Sequence, residues 1–139
     1  MDRFEKTLVA VLRLTGFVML TAIVPAVMPF AWMDDIHRLL GMGDLPNAPI
    51  VNYLTRSLSA MYAMHGALLM FFSIDVRRYV TAVKFMAALA VLFGAGILAI
   101  DIIAGMPPAW TIGEGPFVIV LGGLLLWLSS RIGIEGVKS

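Results

Sequence analysis

The sequence predicts an all-α membrane fold, an antiparallel bundle of four transmembrane helices with one short helix at the outer interface. Three observations predict it. Four long apolar stretches, residues 7–28, 53–74, 79–104 and 112–130, each reach or approach the roughly 20 residues that a helix needs to cross about 30 Å of hydrocarbon. Hydrophobic residues make up 60% of the chain and charged residues 14%, against about 25% charged in an ordinary soluble domain. The longest interruption between the stretches spans only residues 29–52, so little is left for a water-soluble domain and the 139 residues read as a single membrane domain.

The first span follows a segment carrying Asp2, Arg3, Glu5 and Lys6. Those mixed charges, Arg13 inside the early apolar run and the lack of a small-x-small cleavage site predict a retained helix rather than a cleaved leader. Pro25 and Pro29 bracket its outer end; Pro25 has no N–H to give, so a main-chain carbonyl is freed and the helix can kink. Trp32 sits at aromatic-belt depth. Asp34 or Asp35 is expected to cap a short helix over residues 34–40, with Gly41 ending it in a left-handed conformation. Ile36, Leu39 and Leu40 share one face of that helix and Asp35 and Arg38 lie elsewhere, a pattern for lying flat in the interface. Residues 43–49 are a turn-rich link.

On the second span Asn52, Thr55, Arg56, Ser59, Ala63 and Gly66 fall in one stripe at about 100° per residue. It is polar at the outer end and small further in, so it should face protein, because lipid satisfies neither Arg nor Asn. Tyr62 sits on its shoulder and His65 further round. Residues 75–78 make a tight hairpin into the third span, whose Ala87, Ala90, Gly94, Ala95, Gly96 and Ala99 allow close helix approach. Asp101 lies about one turn from its outer end. Residues 105–110 form a proline-punctuated turn anchored by Trp110. Glu114 ahead of Pro116 marks the first turn of the fourth helix, where a carboxylate suits the dipole. Gly122 and Gly123 offer another close-packing point, and Trp127 and Arg131 mark the inner boundary.

Four crossings put both ends on one side. That side holds Arg3, Lys6, Arg77, Arg78, Arg131 and Lys138, with Arg13 and Lys84 near enough to snorkel towards it; the other holds Arg38 and Arg56. These are all ten basic residues, split eight to two, and the bias predicts cytoplasmic termini in a cell inner membrane. Asp34, Asp35, Asp44, Asp101 and Glu114 gather on the outer side. The chain has no cysteine, which excludes disulfides, thiolate catalysis and cysteine metal sites. Its scattered basic residues give nucleic acid no footprint.

Three polar groups are candidates for function. Arg56, Asp101 and Glu114 all lie near outer helix ends, where ionised groups should pair. They form either a structural ion pair that orders the rim or an outward-facing polar pocket in which the Arg56 fork holds an anionic or carbonyl group. Asn52, Ser59, Tyr62 and His65 complete the ligand-binding set. A mid-membrane His65 can carry a proton, ligate haem or meet a quinone oxygen, but hydrogen-bonded packing beside Tyr62 and Ser59 is the plainer reading. His37 is its only possible histidine partner and lies on the outer loop, so haem ligation is disfavoured, and zinc lacks ligands. Asp34, Asp35, His37 and Arg38 read as a cap and a solvated face rather than a metal site.

The first functional reading is a non-enzymatic accessory or ligand-binding protein, working as a homo-oligomer or in a larger membrane complex among membrane lipids. Small-residue faces are left for partners, and the ionisable set is too sparse for an evident catalytic centre. No cofactor is assigned, although quinone or lipid fits the alternative, a membrane redox or lipid-modifying enzyme. A transporter or channel ranks third, because polar residues thin out below Ser59 and Tyr62. Small multidrug-resistance transporters match in size, but their working carboxylate lies deep in the first span, where this chain has none beyond Glu5. Fluoride channels are often dual-topology, against the eight-to-two split, and their Gly-rich first-span pattern is missing. Pro25, Pro29, Trp32 and the stripe from Asn52 to Gly66 give an order of elements that resembles DoxX-type small bacterial membrane proteins. That resemblance covers architecture, implies a link to quinone or thiol redox systems, and carries over no catalytic residue.

Overall fold

The computed structural model describes residues 2–132. They form seven helices and no strand: α1 (Arg3–Leu20), α2 (Ile23–Val27), α3 (Phe30–Leu39), α4 (Pro49–Phe72), α5 (Val80–Ala104), α6 (Pro108–Gly113) and α7 (Gly115–Ser130). They divide into two units. One joins residues 2–13 to residues 71–132; the other is Leu14–Met70.

Small residues set the packing of the first unit. α5 and α7 lie antiparallel with their backbones in near contact: a Cβ added to Gly94 would stand 2.8 Å from the Gly115 carbonyl oxygen, and one added to Gly122 would stand 2.9 Å from that of Ala87. On α5 the buried residues are Val80, Val83, Ala87, Gly94 and Asp101, at spacings of three, four and seven that keep them on one face. Gly115, Gly122, Leu125 and Ser129 do the same on α7. Of the small residues on α5, Ala87 and Gly94 serve the contact, whereas Gly96 and, on α7, Gly123 have nothing within 4 Å of a built Cβ. α5 ends at Gly105, in the left-handed region at φ 67°, where the N–H groups of Gly105 and Met106 cap the carbonyls of Ile102 and Asp101. Between α6 and α7 the helix is interrupted at Glu114, because Pro116 in the first turn of α7 has no N–H to continue it. Pro116 lies in the first turn of α7, as expected, and Pro108–Ser130 together remains one segment long and apolar enough to cross a membrane. At the other end of this unit Phe4 meets Trp127 edge-on at 5.8 Å, so the start of α1 and the end of α7 lie together.

The second unit turns on Pro25. α1 stops at Leu20, and α2 resumes after Thr21 and Ala22. The break falls three and four residues before the proline, where its ring would clash and its missing N–H leaves the Thr21 carbonyl to the Val24 N–H at 3.0 Å. Met28, ahead of Pro29, is extended at ψ 157°, as a residue before proline should be. α3 then begins at Phe30, four residues earlier than the cap at Asp34 or Asp35 implied, with Pro29 as its N-cap. Asp34 is inside the helix instead: it pairs with Arg38 at 2.6 Å and accepts the Leu45 N–H at 2.7 Å. Gly41 ends α3 at φ 77° as expected, with Met42 N–H reaching back to the His37 carbonyl. α1 and α4 cross antiparallel at Gly16 and Gly66.

Three helical segments are long and apolar enough to cross a membrane, namely Arg3–Val27, Val80–Ala104 and Pro108–Ser130. α4 has the length, but Asn52, Arg56 and His65 among others keep it out of that set.

Candidate functional site

Polar side chains collect in three places. The first lies on α4. Ala63 and Gly66 are buried, and Asn52, Thr55, Arg56 and Ser59 are half-buried, so the predicted stripe does face protein. Arg56 spends its fork on main-chain oxygens, donating from Nη1 to Ala26 O at 2.9 Å and from Nη2 to Met28 O at 3.0 Å. Those carbonyls are left over where α2 ends at the pre-proline bend, and a cation there also complements the helix dipole. Asn52 Nδ2 reaches Asn47 Oδ1 at 3.3 Å, and the Thr55 hydroxyl donates to Val51 O at 2.8 Å. Tyr62 and His65 are half-buried on the same helix. Near α3, Arg38 is shared between Asp34 and Asp44, and His37 Nδ1 lies 2.8 Å from Gly43 O, an arrangement that ties the 42–48 link to the helix.

The second place is the far end of α5 and α7 in the other unit. Asp101 is 5% exposed, and its Oδ2 has no hydrogen-bond partner among the described residues. Glu114 is half-buried at the α6–α7 junction; it is the N-cap residue of α7 but makes no side-chain capping bond. The expected grouping of Arg56 with Asp101 and Glu114 thus draws on both units, and Arg56 has its own partners in Ala26 of α2 and in Met28 just beyond it.

Sequence reasoning missed the third place. Glu5 is fully buried and receives Nε and Nη2 of Arg77. It also closes a capping box with Asp2: Asp2 N–H donates to Glu5 Oε2 at 2.8 Å and Glu5 N–H to Asp2 Oδ1 at 2.9 Å. The Asp2-x-x-Glu5 spacing was the available signal. Arg13, expected to snorkel, donates from Nε to the buried Ser73 hydroxyl at 3.3 Å. Among the described residues no three His, Asp or Glu side chains converge to hold a metal ion. No protein-family model, curated protein or solved structure matches the chain.

Proposed function

We propose that the chain is a four-span integral protein of a bacterial-type inner membrane, both ends cytoplasmic, acting as a non-catalytic accessory or ligand-binding component of an oligomer or larger membrane complex. The observation that carries this reading is where the apolar surface lies. In the three apolar segments only 17–22% of the most apolar window is buried within the protein. Side chains such as Ile103 at 86%, Leu92 at 70% and Val120 at 70% exposure need lipid or a partner subunit around them.

A fourth crossing by α4 is supported by how its polar groups are spent. Thr55 and Ser57 return their hydroxyls to carbonyls of their own helix, and Arg56 is satisfied by Ala26 and Met28, so little of that polarity is left for lipid to solvate. The contact of Phe4 with Trp127 and the eight-to-two split of basic residues both support ends on one cytoplasmic side. The exposed Ile36 and Leu39 on α3, with Leu40 just after it, support a helix lying in the interface. The ligand-binding part of the reading rests on the α4 stripe, with Asn52, Arg56 and Ser59 as its polar end. Extraction in mild detergent followed by native mass spectrometry tests the proposal. An oligomer, a co-purifying membrane protein or a retained small molecule is expected; a lone monomer that binds nothing overturns the accessory role.

A further inference from the structure

In the first unit, Val9 and Arg13 on α1 face the 73–77 connection across a groove of about 260 Å³ that Glu5 and Arg77 close at one end. Glu5 and Arg77 are engaged with each other. Arg13 and Asp75 are only partly used. Arg13 commits its Nε to Ser73, and Asp75 commits Oδ1 to the Arg78 N–H at 3.1 Å. The two η nitrogens of Arg13 and Oδ2 of Asp75 have no partner among the described residues. Arg13 lies eight residues beyond Glu5, about 12 Å further along α1 at 1.5 Å per residue. An Arg at that depth in an apolar segment is costly unless an anion meets it.

We infer that this groove holds the headgroup of a phospholipid of the phosphoethanolamine class, its phosphodiester on the η nitrogens of Arg13 and its ammonium on Oδ2 of Asp75. The inference rests on the membrane-spanning reading above. Three features select the ligand. A guanidinium fork matches two phosphate oxygens. The lining charges balance, Arg13 and Arg77 against Glu5 and Asp75, so a bare anion gains from Arg13 but is repelled by Asp75, whereas a zwitterion answers both. The volume is below the roughly 300 Å³ at which drug-sized pockets begin, enough for a headgroup but not a whole lipid. Ile74, 74% exposed on the groove wall, gives the acyl chains an apolar way out.

The test is native mass spectrometry of the delipidated protein in mild detergent, offered phosphatidylethanolamine, phosphatidylglycerol and phosphatidylcholine at equal mole fraction. Phosphatidylethanolamine is expected to be retained in clear excess, because phosphatidylglycerol has no ammonium and the trimethylammonium of phosphatidylcholine cannot donate to Asp75. Arg13→Gln is expected to lower its retention about tenfold. Asp75→Asn keeps an oxygen for the Arg78 N–H and is expected to abolish the preference over phosphatidylglycerol. Equal retention of the three lipids by the native protein overturns the inference, as does a folded Arg13→Gln variant that binds as before. If Arg13→Gln does not fold, Asp75→Asn decides: an unchanged preference overturns the inference. Alkaline carbonate washing separates the two readings. Protein that stays in the membrane yet retains no phosphatidylethanolamine removes the groove alone; protein released by carbonate removes the membrane reading as well.

Discussion

Gly16 and Gly66 bring α1 and α4 into backbone contact: a Cβ on Gly66 would stand 2.6 Å from the Gly16 carbonyl oxygen and 2.8 Å from the Leu20 nitrogen. Both obstacles are main chain, which cannot step aside as a flexible side chain can. Gly66→Ala is therefore expected to destabilise the protein by about 1–3 kcal/mol, the usual cost of overpacking, in detergent unfolding followed by circular dichroism. Gly96→Ala is the control. Nothing lies within 4 Å of its Cβ, so it should be neutral or slightly stabilising through helix propensity. Equal losses from the two would mean that α1 and α4 do not meet at these glycines.

The pairing of Glu5 with Arg77 ties the start of α1 to the connection ahead of α5. Glu5 is buried and Arg77 exposed, so losing Arg77 takes the guanidinium from a buried carboxylate, whereas losing Glu5 releases Arg77 to the surface. Glu5→Gln and Arg77→Gln should each lower the thermal midpoint, and the double variant should lose less than the sum of the two. Additive losses in that cycle would show that the pair contributes no coupling.

Much of this architecture was legible because it follows from local backbone chemistry. Pro25 predicts a kink near the outer end of the first span, Gly41 the end of α3 and Pro116 the first turn of α7, since each is a rule about one residue and its near neighbours. The buried stripe on α4 was legible from spacing alone. What was not legible depends on distant partners. Asp34 reads as a cap, but its carboxylate is taken by the Leu45 N–H, eleven positions on, and Pro29 starts the helix instead. Gly16 is a lone glycine between Thr15 and Phe17, with no small-residue pattern to announce a crossing. Of the candidate site, the residue types on α4 could be read, but the use of Arg56 could not. Its partners are carbonyls, which carry no sequence identity.

Arg56 supplies a prediction that separates a structural role from a ligand-binding one. Arg56→Ala leaves the Ala26 and Met28 carbonyls without their donors and is expected to cost about 1–3 kcal/mol. Arg56→Lys keeps the charge but loses the fork, so it should recover only part of that loss. If Arg56→Ala unfolds at the native midpoint yet releases a bound molecule, its place is in a ligand site rather than at the end of α2.

Asp101 should behave oppositely. A buried carboxylate oxygen without a hydrogen bond lowers stability, so Asp101→Asn, which keeps the shape and removes the charge, is expected to match or exceed the native protein in thermal midpoint at neutral pH. A marked loss would reveal that the Asp101 carboxylate is paired in the membrane.

The crossing by α4 can be decided with single cysteines, because the native chain has none to interfere. Asp35 on α3, Arg78 between α4 and α5 and Ala109 on α6 are all exposed, so each accepts a thiol without burying it. Four crossings place positions 35 and 109 on the outer side and position 78 inside. Asp35→Cys and Ala109→Cys should then react with a membrane-impermeant maleimide on intact cells, and Arg78→Cys only after permeabilisation. Ala109 must differ from Arg78 whenever α5 crosses, so that pair calibrates the assay. Asp35 against Arg78 carries the decision: α4 alone joins those two positions across the bilayer, and like labelling of both would leave it lying on one side, with Arg56 in the headgroups rather than beneath them.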